Sequence, residues 1–123
     1  MGVHLCMSNP EVVRIATERL LKWIEEQPER IYFDISPSDG PNWCICENCR
    51  AQDEPETRYA GRVWKFNNQL AKAVKAKYPD KKLISLSYTP CSETPPKNQK
   101  LMDNLVVLFA PYCWGEQGVR CIR

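Results

Sequence analysis

The fold of this chain is decided by one stretch, Ile31-Tyr-Phe-Asp-Ile-Ser-Pro-Ser-Asp-Gly-Pro-Asn-Trp-Cys-Ile-Cys-Glu-Asn-Cys49. Within residues 31–36, Ile31, Phe33 and Ile35 alternate with the more polar Tyr32, Asp34 and Ser36. This period of two is that of a β-strand. Pro37 and the turn that follows it end this strand. Three thiols, Cys44, Cys46 and Cys49, then come within six residues. We therefore expect a strand whose carboxyl end leads directly into a candidate site.

Three further segments have strand patterns. Residues 3–7 form a short apolar run and residues 83–88 alternate, so both are predicted strands. Residues 105–110 are continuously apolar, which is typical of a strand covered on both faces. The connection before this last strand, residues 89–104, is long and rich in proline, and loops of that kind are usually functional or disordered.

Two helices are predicted between the strands. The first begins at a capping box formed by Ser8 and Glu11 and ends near Gln27, because Pro28 follows. The second runs from residue 58 to residue 78. Each helix has a stripe of apolar residues at steps of three and four, which indicates one buried face. The stripes are Val12, Ile15, Ala16, Leu20, Trp23 and Ile24 in the first helix, and Val63, Phe66, Asn67, Leu70 and Val74 in the second.

The order of elements is strand, helix, strand, helix, strand, loop, strand. Such alternation predicts an α/β fold with a parallel βαβαβ(loop)β sheet and right-handed crossovers, in a single domain over residues 1–123. Four strands and two helices do not close a barrel, which needs eight of each. The chain is therefore predicted to be either a small open sheet or a partial (β/α)8 barrel-like unit.

Composition excludes several classes of function. The net charge is +2, and the basic and acidic residues are interspersed, so no nucleic-acid-binding face is predicted. No apolar run approaches about 18 residues, so no membrane span is expected. The N-terminus has no signal-peptide pattern, which leaves the localisation open, because we expect the chain to be part of a larger protein.

The cysteines gather at one side of the predicted sheet. Parallel strands place their carboxyl ends together, and ligands of α/β proteins bind on that side. The total of seven is odd, so at least one cysteine is free or binds something. Six of the seven lie on or just beyond a predicted strand end: Cys6, Cys44, Cys46, Cys49, Cys91 and Cys113.

The loop that follows the strand at residues 31–36 and carries Cys44, Cys46 and Cys49 is called the cysteine loop. It predicts a structural zinc site. Three thiolates need one further ligand for tetrahedral zinc, and Cys6 at the neighbouring strand end is the best fourth, with His4 in reserve. A disulfide within the loop and unligated thiols are the alternatives. A thiol redox function is disfavoured, because we expect a polar loop after Cys49 and therefore no C-x-x-C at a helix start.

Polar and aromatic residues at the predicted strand ends are candidate ligand-binding groups. Asp39 is either a turn residue or a carboxylate that faces a polar ligand. The aromatic rings of Trp43, Tyr88 and Trp114 suit the apolar faces of sugars, and equally suit a cover for the end of a sheet. Asn67 interrupts an apolar helix stripe, either to cap a neighbouring backbone or to bind substrate.

The chain also resembles a known family. The resemblance covers almost the whole sequence and is carried by residues 5–12, 36–40, 43–49, 66–67, 78–80 and 88 with 95–96, of which the cysteine loop is the most specific. The family is domain of unknown function 4838, a glycoside-hydrolase-like family common in gut Bacteroidetes. The resemblance implies a middle portion of a (β/α)8 barrel, with the strand at residue 31 near the fourth position.

The resemblance also implies a function. In similar hexosaminidase and α-glucuronidase barrels, acidic residues at strand ends perform the chemistry, and Asp39 is the residue at such a position here. A second carboxylate would come from Glu93, Glu116 or a strand outside these residues. We therefore expect a glycoside-hydrolase-like domain that acts on or binds carbohydrate. The alternative is a non-catalytic, zinc-stabilised binding or structural module.

Overall fold

A three-stranded parallel sheet forms the centre of the protein. The computed structural model describes residues 4–38, 40–55, 57–88 and 96–110. Within them the strands pair in the order β1-β2-β3 and all run parallel, so the predicted α/β class and parallel pairing are confirmed. The elements in chain order are α1 (Pro10–Glu26), β1 (Tyr32–Asp34), α2 (Glu47–Arg50), α3 (Ala60–Lys77), β2 (Lys82–Ser87) and β3 (Leu105–Phe109).

The two long helices cover the same face of this sheet. Trp23 of α1 contacts Phe33 of β1 edge to face, with ring centroids 4.9 Å apart. Asn67 of α3 donates from Nδ2 to Ser85 Oγ of β2 over 2.8 Å. Phe33 lies beside Leu83 in the β1–β2 register and both are fully buried, so they belong to this covered face with Ser85. The apolar stripe predicted for α3 is buried throughout, and that of α1 is buried at Leu20 and Ile24.

Helix α1 begins one residue later than the predicted capping box implies. Asn9, not Ser8, is the N-cap, and its Oδ1 accepts a hydrogen bond from the Glu11 N–H over 2.9 Å. Pro10 occupies the first helical position, where its missing N–H costs nothing. Ser8 is thereby released from the helix, and its hydroxyl lies among the cysteine sulfurs instead.

The predicted first strand is wrong for its described part. Residues 4–7 contain no strand, and the described sheet has three strands rather than four. Instead, the His4 N–H donates to the Asn42 carbonyl over 3.1 Å, so this segment is tied to the cysteine loop rather than to β1. In the connection before β3, residues 100–104 contain no helix, and a turn leads into the strand.

Strand β3 is exposed where its apolar run predicts cover on both faces. Val106, Val107, Leu108 and Phe109 are between 38 and 58% exposed. Successive side chains of a strand point to opposite faces, so the described elements leave both faces of β3 largely open. Within the described residues the sheet ends at this strand, and the partial-barrel interpretation stays a prediction. No helix within the described ranges is both long enough and apolar enough to cross a membrane.

Candidate metal centre

Cys46 and Cys49 are brought together by the short helix α2. Cys46 is its N-cap, and its Sγ accepts a hydrogen bond from the Cys49 N–H over 3.4 Å. One helical turn therefore places both sulfurs on the same side of the backbone. Ile45 is 74% exposed, so the side chains on either side of it, those of Cys44 and Cys46, turn inward together. This arrangement gives three convergent thiols on one loop.

The N-terminal segment supplies the fourth thiol. His4 holds this segment against the loop through a hydrogen bond of 2.8 Å between its Nε2 and the Gly40 carbonyl. The His4 ring also stacks on Trp43, with centroids 3.6 Å apart and planes 10° apart. Cys6 follows two residues later and reaches Cys46 and Cys49 from the opposite side of the site. His4, the predicted reserve ligand, therefore acts here as a support for Cys6.

The four sulfurs form one compact cluster. The Sγ atoms of Cys6, Cys44, Cys46 and Cys49 all lie within 4.8 Å of one another. Cys6 Sγ is 3.7 Å from Cys46 Sγ and 3.8 Å from Cys49 Sγ. A tetrahedron of sulfurs at about 2.3 Å from a zinc ion has edges of about 3.8 Å. The cluster can therefore hold a metal ion, and the four predicted ligands are the four residues that the structure brings together.

Ser8 is a fifth polar group at this cluster. Its Oγ lies 3.1 Å from Cys49 Sγ and 3.6 Å from both Cys6 Sγ and Cys46 Sγ. A hydroxyl at these distances can donate a hydrogen bond to a thiolate and so stabilise its negative charge. The sequence predicted Ser8 as part of the helix cap and gave no sign of a place at the cluster, whereas in the structure Asn9 is the cap.

The thiols differ in acidity. Hydrogen bonds from the Cys49 N–H, and next from Ser8, lower the pKa of Cys46 from 9.0 to about 6. For Cys44 the Cys46 N–H favours the thiolate, but hydrogen bonding to neighbouring sulfurs and burial outweigh it and raise the pKa to about 11. The hydrogen bonds therefore favour the thiolate at Cys46, whereas Cys44 must release a proton when it binds a metal, so metal affinity rises with pH.

One of the reasons against a thiol redox function, the expected absence of a helix start at the C-x-x-C, is wrong. The sequence predicted a polar loop after Cys49, but Cys46-Glu-Asn-Cys49 lies at a helix start, where thiols become more acidic. The same C-x-x-C has two further sulfurs within 4.8 Å, from Cys6 and Cys44. A group of four thiols is a complete tetrahedral ligand set, whereas a redox pair needs two, so the arrangement favours metal binding.

The N-terminal turn of α3 packs directly against the cysteine loop. Arg62 is 1% exposed and holds Asp53 with two hydrogen bonds, Nε to Oδ1 over 2.7 Å and Nη2 to Oδ2 over 2.5 Å. Its Nη1 donates to the Cys44 carbonyl over 2.6 Å. The Asp53 carboxylate raises the pKa of Arg62 further, so the guanidinium is always charged. Neither Arg62 nor Asp53 was expected from sequence, because a pair nine residues apart has no local spacing signal.

Gly61 allows this close packing. A Cβ at this position would overlap the Gln52 carbonyl oxygen and lie 3.2 Å from its carbon. The Gly61 carbonyl also accepts a hydrogen bond from Gln99 Nε2 over 2.9 Å. The end of the cysteine loop, the first turn of α3 and the segment before β3 therefore meet at one glycine.

The residues predicted to contact substrate are not brought together in the described part of the chain. The Trp43 ring lies between His4 and Tyr59, with centroids 3.6 and 4.4 Å away, so both of its faces are covered. Asn67 is buried against Ser85 beneath the sheet. Tyr88 is half-buried just beyond the end of β2. Asp39 and Trp114 lie outside the described residues, as do Glu93 and Glu116.

Fold and site together define a class, an α/β domain with a parallel sheet and a cluster of four cysteines that could hold a metal ion. The chain belongs to the family described as Domain of unknown function (DUF4838), whose model matches residues 2–120. This confirms the family resemblance noted in the sequence. Neither a curated protein nor a solved structure matches the chain.

Proposed function

We propose that this domain binds one structural zinc ion through Cys6, Cys44, Cys46 and Cys49. The observation that carries the proposal is the mutual distance of the four sulfurs, none more than 4.8 Å from another. Four thiolates fill all positions of a tetrahedral ion and leave none for water or substrate, which is the pattern of structural rather than catalytic zinc. The proposed function of the ion is therefore to stabilise the fold.

The choice of metal follows from ligand chemistry and size. Thiolates select zinc, copper(I) and iron–sulfur clusters among biological metals. The separations of 3.7 and 3.8 Å from Cys6 Sγ to its neighbours match one central ion and leave no room for a cluster with several irons and sulfides. Zinc needs no redox partner and imposes no geometry beyond the tetrahedron, so it fits the four cysteines best.

The ion would join parts of the chain that are distant in sequence. Cys6 and Cys46 are separated by 40 residues, which include α1 and β1. A link across a loop of this size lowers the entropy of the unfolded chain, and metal binding then contributes directly to folding. The N-terminal segment belongs to no described strand, so in this proposal the ion replaces the strand pairing that would otherwise hold it.

Elemental analysis tests this proposal. Protein purified under reducing conditions is expected to carry about one zinc ion per chain, and no iron or copper. Cys46→Ser is expected to lose the ion, whereas Ser8→Ala, which removes a neighbouring oxygen but no thiol, is expected to keep it. Reduced wild-type protein that takes up no zinc, or that forms stoichiometric disulfides among these four cysteines, would contradict the metal centre.

A second proposed function is action on carbohydrate, as part of a larger (β/α)8 barrel. The observation on which it rests is the sheet order, because parallel strands that follow each other as β1-β2-β3 occur in barrels, as they also do in each half of a doubly wound sheet. The open β3, with four successive apolar residues exposed, also fits a sheet that continues beyond it. In this proposal the zinc ion stabilises the ligand-binding side of the barrel.

Activity measurements test the carbohydrate proposal. In a protein with the complete barrel, Asp39→Asn is expected to lower turnover of a disaccharide of N-acetylhexosamine or glucuronic acid by about two orders of magnitude, because the sugar leaving group needs the proton of a general acid. The fold, followed by circular dichroism, should be unchanged. The 123-residue chain alone is expected to show no turnover if the second carboxylate comes from a strand outside these residues, whereas full activity of the chain alone would point to Glu93 or Glu116. Wild-type turnover in the variant would leave Asp39 as a turn residue.

A further inference from the structure

Arg62 joins three structures at the metal centre. It belongs to the first turn of α3, its guanidinium binds Asp53 at the end of the cysteine loop, and its Nη1 donates to the carbonyl of Cys44. The guanidinium also lies 4.9 Å from the centroid of the Tyr59 ring, and that ring stacks on Trp43. The N–H donors of a guanidinium point in fixed directions. A buried Arg62 can therefore fix the orientation of its two partners, the Asp53 carboxylate and the Cys44 carbonyl.

The carbonyl that Arg62 holds belongs to a proposed ligand residue. Cys44 lies at the start of the cysteine loop, and in the described residues no helix or strand contains it. Its backbone is therefore fixed by the Arg62 hydrogen bond of 2.6 Å and by its neighbours in the loop, rather than by a ladder of backbone bonds. Cys46 and Cys49, in contrast, are positioned by the turn of α2. Cys44 is the loop thiol that most needs an external support.

We propose that Arg62, held in place by Asp53, is the positioning residue that sets Cys44 in its metal-binding geometry. This inference rests on the proposed zinc centre. Groups that orient metal ligands through hydrogen bonds typically affect affinity by about 10- to 100-fold. The three cysteines Cys6, Cys46 and Cys49 form the remainder of the site, so loss of Arg62 weakens the centre without abolishing it.

Zinc affinity, measured by competition with a chromogenic chelator, tests the inference. Arg62→Met is expected to raise the zinc Kd by about 10- to 100-fold, and Arg62→Lys, which keeps the positive charge but not the planar fork, to give an intermediate value. Asp53→Asn removes the carboxylate charge that holds the guanidinium and is expected to weaken binding in the same direction. Cobalt-loaded Arg62→Met should show altered ligand-field absorption, because a displaced Cys44 distorts the tetrahedron.

Lys81→Met is the matched control. Lys81 is likewise a buried cation that donates to backbone carbonyls, those of Pro28 and Arg30, over 2.6 and 2.8 Å, but it lies in the connection between α3 and β2. Its replacement is expected to lower stability and leave the zinc Kd and the cobalt spectrum unchanged. If Arg62→Met does not fold, Arg62→Lys and Asp53→Asn carry the test.

The outcomes separate the two proposals. Wild-type protein that binds no zinc contradicts the metal centre itself. Wild-type protein that binds zinc, together with Arg62 and Asp53 variants of equal affinity and spectrum, overturns the positioning function of Arg62 alone. An equal loss of affinity in Lys81→Met would also overturn it, because the effect would then follow from general destabilisation.

Discussion

Removal of the metal is expected to lower the free energy of unfolding by about 4 kcal/mol when free zinc is present at about a thousand times its Kd. Small domains are stable by about 5–15 kcal/mol, so this loss brings the protein close to its unfolding transition. The same result is expected for Cys49→Ser, because Cys49 is the fully buried member of the cluster. Urea denaturation with and without a strong chelator measures both effects.

The response to chelator separates metal loss from ordinary damage to the core. Wild-type protein should lose stability when the chelator is added, whereas Cys49→Ser should be unstable from the start and show no further change. Ser8→Ala keeps all four thiols, so it is still expected to lose stability when the chelator is added, but by less than the wild type, because its thiolates lack the Ser8 hydrogen bond and bind zinc more weakly. A wild-type protein whose unfolding is insensitive to the chelator would contradict a stabilising metal.

Local patterns predicted much of the described fold. The stripe that includes Val63 and Leu70 is buried on α3, and the alternation around Phe33 is a strand, because both depend only on periodicity within one element. A single geometric rule, that functional groups gather at one side of a parallel sheet, predicted that Cys6 lies beside the cysteine loop. In the sequence, Cys6 is 40 residues from Cys46 of that loop. That rule places Cys6 correctly even though its segment forms no strand.

The wrong predictions depend on neighbours that a local pattern does not contain. The apolar run at residues 105–110 predicts a strand, but its exposure depends on which elements pack against β3. The run at residues 3–7 was interpreted as a strand because it is apolar, yet His4 is buried by Trp43 and the loop rather than by a sheet. An apolar run predicts burial in both cases, but it does not specify which element covers the residues.

The residues that contact the cysteine ligands have no distinctive spacing in the sequence. Ser8, Asp53 and Arg62 are ordinary polar residues whose importance comes from three-dimensional proximity. Ser8 is one residue from the true cap, and Arg62 is beside the apolar stripe of α3. Sequence analysis detects the ligands, because cysteine spacing is distinctive, but the groups that orient them become visible only in the structure.

Gly61→Ala is the second change with a large expected effect, and its sign is diagnostic. In an unobstructed helix this substitution would stabilise the protein by about 1 kcal/mol, because alanine is the better helix former. Here the added Cβ overlaps the Gln52 carbonyl oxygen, which is backbone and cannot rotate away. Overpacking of this kind costs about 1–3 kcal/mol. Because the overlap is with backbone, we expect the upper end of this cost and, after the gain in helix propensity, a net loss of about 2 kcal/mol in urea denaturation.

The matched control for this glycine is in the same helix. Ala76 is an exposed position of α3, and Ala76→Gly should cost only the ordinary helix-propensity term of about 0.5–1 kcal/mol. Gly61→Ala should in addition weaken zinc binding, because relief of the overlap moves Gln52, three residues after Cys49, away from α3. Ala76→Gly should leave the zinc Kd unchanged. A stabilised Gly61→Ala protein with normal zinc affinity would contradict the close contact between Gly61 of α3 and the Gln52 carbonyl.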